Sequence, residues 1–171
     1  MAKKASLREF QSYLANRLAG VSERSAASLL GVQVGSEHWL LNLADSGEVI
    51  PLLSLTSVPL TKPWFVGMAN VRGNLFAVTD FSAFQGREAT PQNANARLLL
   101  IGSRHGNNMA LLVNRMLGLR HVNNLTRLDS DSNSSAPLWA KTVYSDPEGR
   151  HWKMLNVRAL LADENFMDIG L

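Results

Sequence analysis

An all-β fold is what this 171-residue chain predicts, and three features carry the prediction. Apolar residues alternate over short runs, Gly, Pro and Asn stand at the joints between runs, and two runs are apolar throughout. Short alternating runs separated by turn residues are the pattern of a sandwich or barrel. The two unbroken runs, Arg97-Leu98-Leu99-Leu100-Ile101 and Met109-Ala110-Leu111-Leu112-Val113, are strands covered on both faces. Such burial needs more than one half-solvated sheet, for instance a core shared by two sub-barrels.

The first element is the exception. Residues 6–19 place Leu7, Phe10, Leu14 and Leu18 at helical spacing, with Arg8, Glu9, Ser12 and Arg17 on the opposite face and Gly20 as a C-terminal cap. An amphipathic helix is expected there, packed on the domain or docked to a partner. Residues 1–28 therefore read as helix plus linker, and 29–171 as the main domain.

From Leu30 the period becomes strand-like. Leu30-Val32-Val34 and Trp39-Leu41-Leu43 alternate around Gly35-Ser36-Glu37-His38, a hairpin turn. Val49–Leu53, Leu75–Thr79, Leu98–Ile101, Met109–Val113, Leu119–Val122, Leu138–Val143 and His151–Leu155 continue the series. Asn156 is placed to cap a short helix, Val157–Leu161. A faint repeat, 67 residues apart, matches Val32-Gln33-Val34-Gly35-Ser36-Glu37-His38 to Leu99-Leu100-Ile101-Gly102-Ser103-Arg104-His105. It fits two similar halves.

Composition narrows the function classes. With 46% hydrophobic and 18% charged residues the chain is an ordinary globular protein. The absence of cysteine excludes a disulfide framework, a Cys-ligated zinc site and a thiol nucleophile. Met1-Ala2-Lys3-Lys4 is basic, but no apolar stretch follows, so no signal peptide is expected. No apolar run reaches the ~18 residues of a membrane span, so no membrane insertion is expected and a cytoplasmic location is.

Metal and catalytic motifs fail in detail. Asp129-Ser130-Asp131-Ser132-Asn133 begins like a calcium loop, but Ser134 stands where a Gly must turn and Ala140 where a bidentate Glu belongs. The four His, at 38, 105, 121 and 151, show no ligand spacing. Gly67 and Gly73 are not followed by Lys-Ser/Thr, so they form no phosphate loop, and no Gly-x-Ser-x-Gly elbow is present. No cofactor is implied, and a binding or scaffold role leads.

Between 87 and 127 six Arg stand against one acid, Glu88, which leaves open a nucleic-acid- or small-molecule-binding barrel. Aromatic residues for base stacking are missing from that stretch, which weighs against nucleic acid.

Pro63–Phe84, PWFVGMANVRGNLFAVTDFSAF, is the most informative segment. Trp64 and Phe65 supply an apolar anchor, and Gly67 and Gly73 allow tight turns on either side of Asn70-Val71-Arg72. Asp80 is placed to cap one turn of helix at Phe81–Phe84. Arg72 then sits at a loop tip between apolar segments, as either a solvated turn residue or an interface anchor.

Gly-x-Ala-Asn-x-Arg-Gly-x5-Val/Thr-Asp-Phe at Gly67–Phe81 resembles the CheW-like domain of bacterial chemotaxis coupling proteins. The likeness extends from about Leu30 to Leu161. Glu48-Val49-Ile50 lies at the family's spacing, 24 residues before Arg72, and Met154–Leu161 looks like its closing strand and helix. The N-terminal helix, the Trp64–Gly73 motif and the tail Asn165-Phe166-Met167-Asp168 are more similar to the branch serving type IV pilus (twitching) signalling.

The resemblance implies two five-stranded SH3-like barrels around a common core, and no catalysis. It implies an adaptor between the cytoplasmic tip of methyl-accepting chemoreceptors and the regulatory domain of a CheA-type histidine kinase, with self or paralogue contacts that build rings. The chain would thereby be recruited to the inner face of the inner membrane. Partner-binding positions carried over are Glu48, Val49, Asn70, Val71 and Arg72, with Leu98 and Met116 where family members expose apolar surface. Ala77, Phe81 and Asn114 depart from the pattern, which bears on whether a flagellar-type array would accept this chain.

Overall fold

The computed structural model describes residues 11–12, 28–101, 103–128 and 135–171. The helix expected over 6–19 lies outside these residues, apart from Gln11 and Ser12, which are helical and exposed. The acidic start of the calcium-like loop, 129–134, also lies outside them.

The described strands are β1 (Ser28–Val34), β2 (Glu37–Asn42), β3 (Ser46–Pro51), β4 (Leu55–Thr56), β5 (Phe65–Val71) and β6 (Asn74–Asp80), followed by β7 (Arg97–Ile101), β8 (Met109–Val113), β9 (Arg115–His121), β10 (Thr126–Leu128), β11 (Thr142–Ser145) and β12 (His151–Met154). Short helices α1 (Phe81–Phe84), α2 (Val157–Leu161) and α3 (Glu164–Met167) accompany them. The strands form two six-stranded sheets, β10-β11-β12-β2-β1-β9 and β3-β7-β8-β6-β5-β4. Each ends on a very short strand, β10 with three residues or β4 with two, so each counts six where the resemblance implied five. Among the described residues no ladder joins the two edge strands of either sheet.

The two sheets share one plan. Each has an antiparallel edge strand, a hairpin (β1–β2 or β7–β8), a parallel pairing of that hairpin's second strand (β12–β2 or β6–β8), then two more antiparallel steps. The order β3 to β8 in one sheet corresponds to β9 to β12 followed by β1 and β2 in the other. The faint repeat marks this equivalence, since it aligns β1 with β7 and the start of β2 with the turn that leads into β8.

The doubly apolar runs have two interiors to fill. Leu99, Leu111 and Val113 face Leu30, Val32, Val34, Trp39 and Leu41 in a core drawn from both sheets. On their other side Leu98, Leu100, Ala110 and Leu112 pack with Ile50, Ala69, Val71 and Val78 inside one sheet. Leu29, Leu40 and Trp152 fill the smaller interior of the other. Aromatic rings close one end of the shared core: Trp139 lies 5.9 Å from Trp39, 5.6 Å from Phe81 and 5.8 Å from Phe84.

Both helix caps read from sequence are present. Asn156 Oδ1 accepts from the Ala159 amide at 3.0 Å. Asp80 Oδ1 accepts from Ser82 and Ala83 amides at 3.1 and 3.2 Å. The buried Asp80 carboxylate also takes the Thr90 amide at 2.7 Å and the Thr90 hydroxyl at 2.8 Å, pinning the 86–96 loop to α1.

Three local expectations are corrected. Gly67 does not turn the chain: it lies within β5 at a register shift, with φ +127°. A Cβ there would come within 2.3 Å of the Thr56 carbonyl oxygen, so β4 can pair only against a glycine. Leu138–Val143 is not one strand, because Pro137 leads into a 3₁₀ turn at Leu138–Ala140 that inserts Trp139 into the aromatic cluster. The strand read at Leu119–Val122 begins earlier, at Arg115.

The β11–β12 hairpin turns on Asp146, whose carboxylate accepts from Trp152 Nε1 at 2.9 Å and from the Arg150 backbone and guanidinium at 2.8 and 2.9 Å. Burial works against ionisation, but these donors outweigh it and hold the group down to about 2 from an ordinary 3.8. A depressed folded value means stability present above the unfolded value and lost as pH falls through the folded one. Melting temperature should therefore fall between about pH 4 and pH 2, and Asp146→Asn should destabilise the neutral protein while flattening that acid limb; an unchanged acid profile in thermal melts refutes this. Asp80→Ala should cost about 2–4 kcal/mol in urea unfolding, from a lost cap and a stranded buried Thr90 amide.

Candidate functional site

The β5–β6 connection has two residues, Arg72 and Gly73, between the paired Val71 and Asn74. Both have positive φ, +52° and +87°. A two-residue turn of that kind matches strand twist and favours Asn-Gly. Arginine at its first position carries a backbone cost on the order of 1 kcal/mol, because its Cβ crowds the carbonyl. Asn70 supports the turn from the strand, its Oδ1 accepting from the Gly73 amide at 2.8 Å.

From this tip the Arg72 guanidinium reaches β3. Nη1 donates to Glu48 Oε2 at 2.8 Å and Nη2 to Glu48 Oε1 at 2.7 Å, a two-pronged pair. In the hydrogen-bonded order β3 and β5 are separated by three strands, so their ends meet only because the sheet curls round its small interior. The pair is open to solvent: Arg72's side chain is 72% exposed. The hydrogen bonds from Arg72 hold Glu48 below its ordinary carboxylate value, and Glu48 raises Arg72 in turn.

The sequence-expected site residues divide accordingly. Glu48, Asn70 and Arg72 come together on the surface. Val49, the next residue of β3, packs partly against the shared core. Val71 and Leu98 are buried in the sheet interior beneath the pair, Leu98 with no exposure at all, so neither offers contact surface. Alternation turns them inward. Met116 is exposed at 44% but belongs to β9, the edge of the other sheet.

The sequence reading overlooked Leu75 as a site residue. It pairs directly opposite Asn70 and is 58% exposed, which sets an apolar side chain beside the charged tip. The signal was available, since a two-residue turn at Arg72-Gly73 fixes the register that puts Leu75 there.

Most other charged groups among the described residues are engaged within the chain. Glu37 Oε1 accepts from Arg87 at 2.8 Å and also from Lys153, joining β2, the 86–96 loop and β12. Arg97 caps the Ala94 and Ala96 carbonyls, Arg104 lies 3.7 Å from Asp45, Arg115 donates to Gln33 at 2.6 Å, and Arg120 stacks 5.0 Å from the Trp152 ring. Five of the six arginines of 87–127 are thus engaged by neighbours in their own chain, which weighs further against a nucleic-acid reading. Among the described residues no cluster of three His, Asp or Glu could hold a metal ion, and no helix is long and apolar enough to cross a membrane.

The family model described as "CheW-like domain" matches residues 28–165. The Protein PilI of Pseudomonas aeruginosa is 27% identical over 149 residues, covering 83% of this chain and 79% of that protein. The chemotaxis protein CheW of Helicobacter pylori is 28% identical over 81 residues, covering 47% of this chain and 48% of that protein. The crystal structure of the scaffolding protein TtCheW from Thermoanaerobacter tengcongensis superimposes with a TM-score of 0.64 at 16% identity, over 77% of this chain and 89% of that one, a likeness of fold.

Arg72 occupies a costly conformation and makes only an exposed pair, so it adds little to folding. Arg72→Asn, which suits the turn, should melt within about 3 °C of the wild type or above it. A large drop in melting temperature would show the pair to be structural.

Proposed function

Because the chain belongs to the CheW-like domain family, we propose that it is a non-catalytic adaptor coupling the cytoplasmic tips of methyl-accepting chemoreceptors to a CheA-type histidine kinase. The observation that carries this reading is the surface at the β5–β6 tip. An arginine is held there at conformational cost, paired two-pronged with Glu48, and flanked by exposed Leu75. Apolar area beside a fixed charge is how a reversible interface gains affinity and register together.

Glu48, Asn70 and Arg72 form the polar part of this surface, with Leu75 as its apolar part. Val71 and Leu98 in the sheet interior, and Val49 against the shared core on the other face, anchor the strands that carry it. Met116 lies on a separate apolar surface of the other sheet. The likeness of plan between the two sheets favours contacts at both ends of the molecule, as ring assembly with kinase domains or further copies requires. In this reading residues 29–171 are the working domain and 1–28 an appendage. The location is cytoplasmic, at the inner face of the inner membrane through the receptors.

The pathway is the one that controls type IV pili and twitching motility. Its support is the likeness to PilI across most of both chains, together with the Trp64–Gly73 motif and the Asn165–Asp168 tail. The shorter match to a chemotaxis CheW favours a flagellar-type array as the second reading.

A pull-down from the native bacterium with folded wild-type and Arg72→Glu bait tests both levels. Wild type should retain a receptor and a CheA-type kinase, and the variant should lose at least tenfold of the kinase or receptor signal. Equal retention by both baits would remove Arg72 from the interface, and absence of both partners from the wild-type eluate would remove the adaptor role. The identity of the kinase retained separates the pilus pathway from the flagellar one.

A further inference from the structure

The shared core is better covered on one sheet than on the other. In β1, Leu30 and Val32 face that core. Their cross-strand partners in β9 are Leu119 and Met116, which lie on the same face. The apolar face therefore runs past the edge of the core onto β9, where Leu119 is 56% and Met116 44% exposed.

The equivalent place in the other sheet is covered. Val32 corresponds to Leu99 in the internal repeat, and Leu99 pairs with Val49 as Val32 pairs with Met116. Val49 is packed against the shared core. Its counterpart Met116 stands clear, so β9 lacks a cover that β3 has.

The chain supplies an occupant that fits. β1 begins at Ser28, which pairs with His121 at the far end of β9, so whatever precedes Ser28 enters beside this face. Residues 6–19 carry Leu7, Phe10, Leu14 and Leu18 on one helical face. As a helix they would be about 21 Å long. The seven residues of β9 extend over about 24 Å. Residues 20–27 span at most about 28 Å, enough to reverse the chain along the strand. We propose that the amphipathic segment 6–19 docks its apolar face on Met116 and Leu119 of its own chain, completing the shared core at the β9 edge.

The proposal does not rest on the adaptor reading, but a docked segment takes Met116 out of the surface open to partners and leaves the Glu48–Arg72 tip as the contact surface. The absence of cysteine makes it directly testable on the 171-residue chain. Cysteine pairs joining position 10, 14 or 18 to position 116 or 119 (as Phe10→Cys, Leu14→Cys or Leu18→Cys with Met116→Cys or Leu119→Cys) would be oxidised mildly with copper–phenanthroline. At least one pair should form an intrachain disulfide in the monomer, while Leu14→Cys with Leu75→Cys should form none. In parallel, Phe10→Asp with Leu14→Asp should speed hydrogen exchange of the β9 amides at least several-fold and leave β7 and β8 unchanged. Failure of every pair, disulfides found only between two chains, or unaltered β9 exchange would each overturn the docking.

Discussion

The rest of the molecule depends on a core that neither sheet owns. Leu99, Leu111 and Val113 from one sheet and Leu30, Val32 and Trp39 from the other bury one another, and each contributing strand has a second interior behind it. Stripped of this contact, each sheet would present an apolar face to water. Truncating a single Leu in such a core costs about 2–5 kcal/mol, a large share of a domain's stability. The curl of the β3–β8 sheet round Ile50, Val71 and Leu98 follows from the same demand, and that curl is what brings Glu48 within reach of Arg72.

Charge in this protein falls into two kinds. Most charged groups described here are partnered where chain segments meet: Glu37 ties three elements, and Asp146 closes a hairpin over Trp152. These pairs hold segments in register. The Glu48–Arg72 pair differs, because it is solvent-exposed and rests on a residue whose backbone resists the conformation. An interaction that adds little to folding yet occupies a strained turn points outward, to what binds there.

Much of the fold was legible because burial leaves a period. The doubly apolar runs of β7 and β8 implied two interiors, and the faint repeat marked equivalent strands in two sheets. Asp80 and Asn156 announced the caps that the structure contains. β5 was missed because its Gly67 reads as a turn, whereas the glycine serves close approach of the Thr56 backbone, a contact invisible in local sequence. The Leu138–Val143 strand was overextended because Trp139 is drawn out of line by distant Trp39 and Phe81. Spacing and motif point to Glu48, Asn70 and Arg72, which the structure brings to one surface, whereas Val71 and Leu98, contact positions by the resemblance, are buried. Strand alternation decides that side, and it depends on a register that only the two-residue turn fixes.

The interleaved strand order has a consequence for how the chain is made. The β3–β8 sheet is continuous in sequence, so all its strands are synthesised before β9. The other sheet takes β1 and β2 from before it and β9 to β12 from after it. During synthesis, at roughly 5–20 residues per second, the β1–β2 hairpin must wait several seconds with Leu29, Leu40 and Trp39 lacking their eventual neighbours. The middle of the polypeptide is then the half that can acquire its own interior first, and the ends fold onto it as a template. The nascent chain is most vulnerable to aggregation in the interval between β2 and β12, when a finished sheet and an orphaned hairpin coexist.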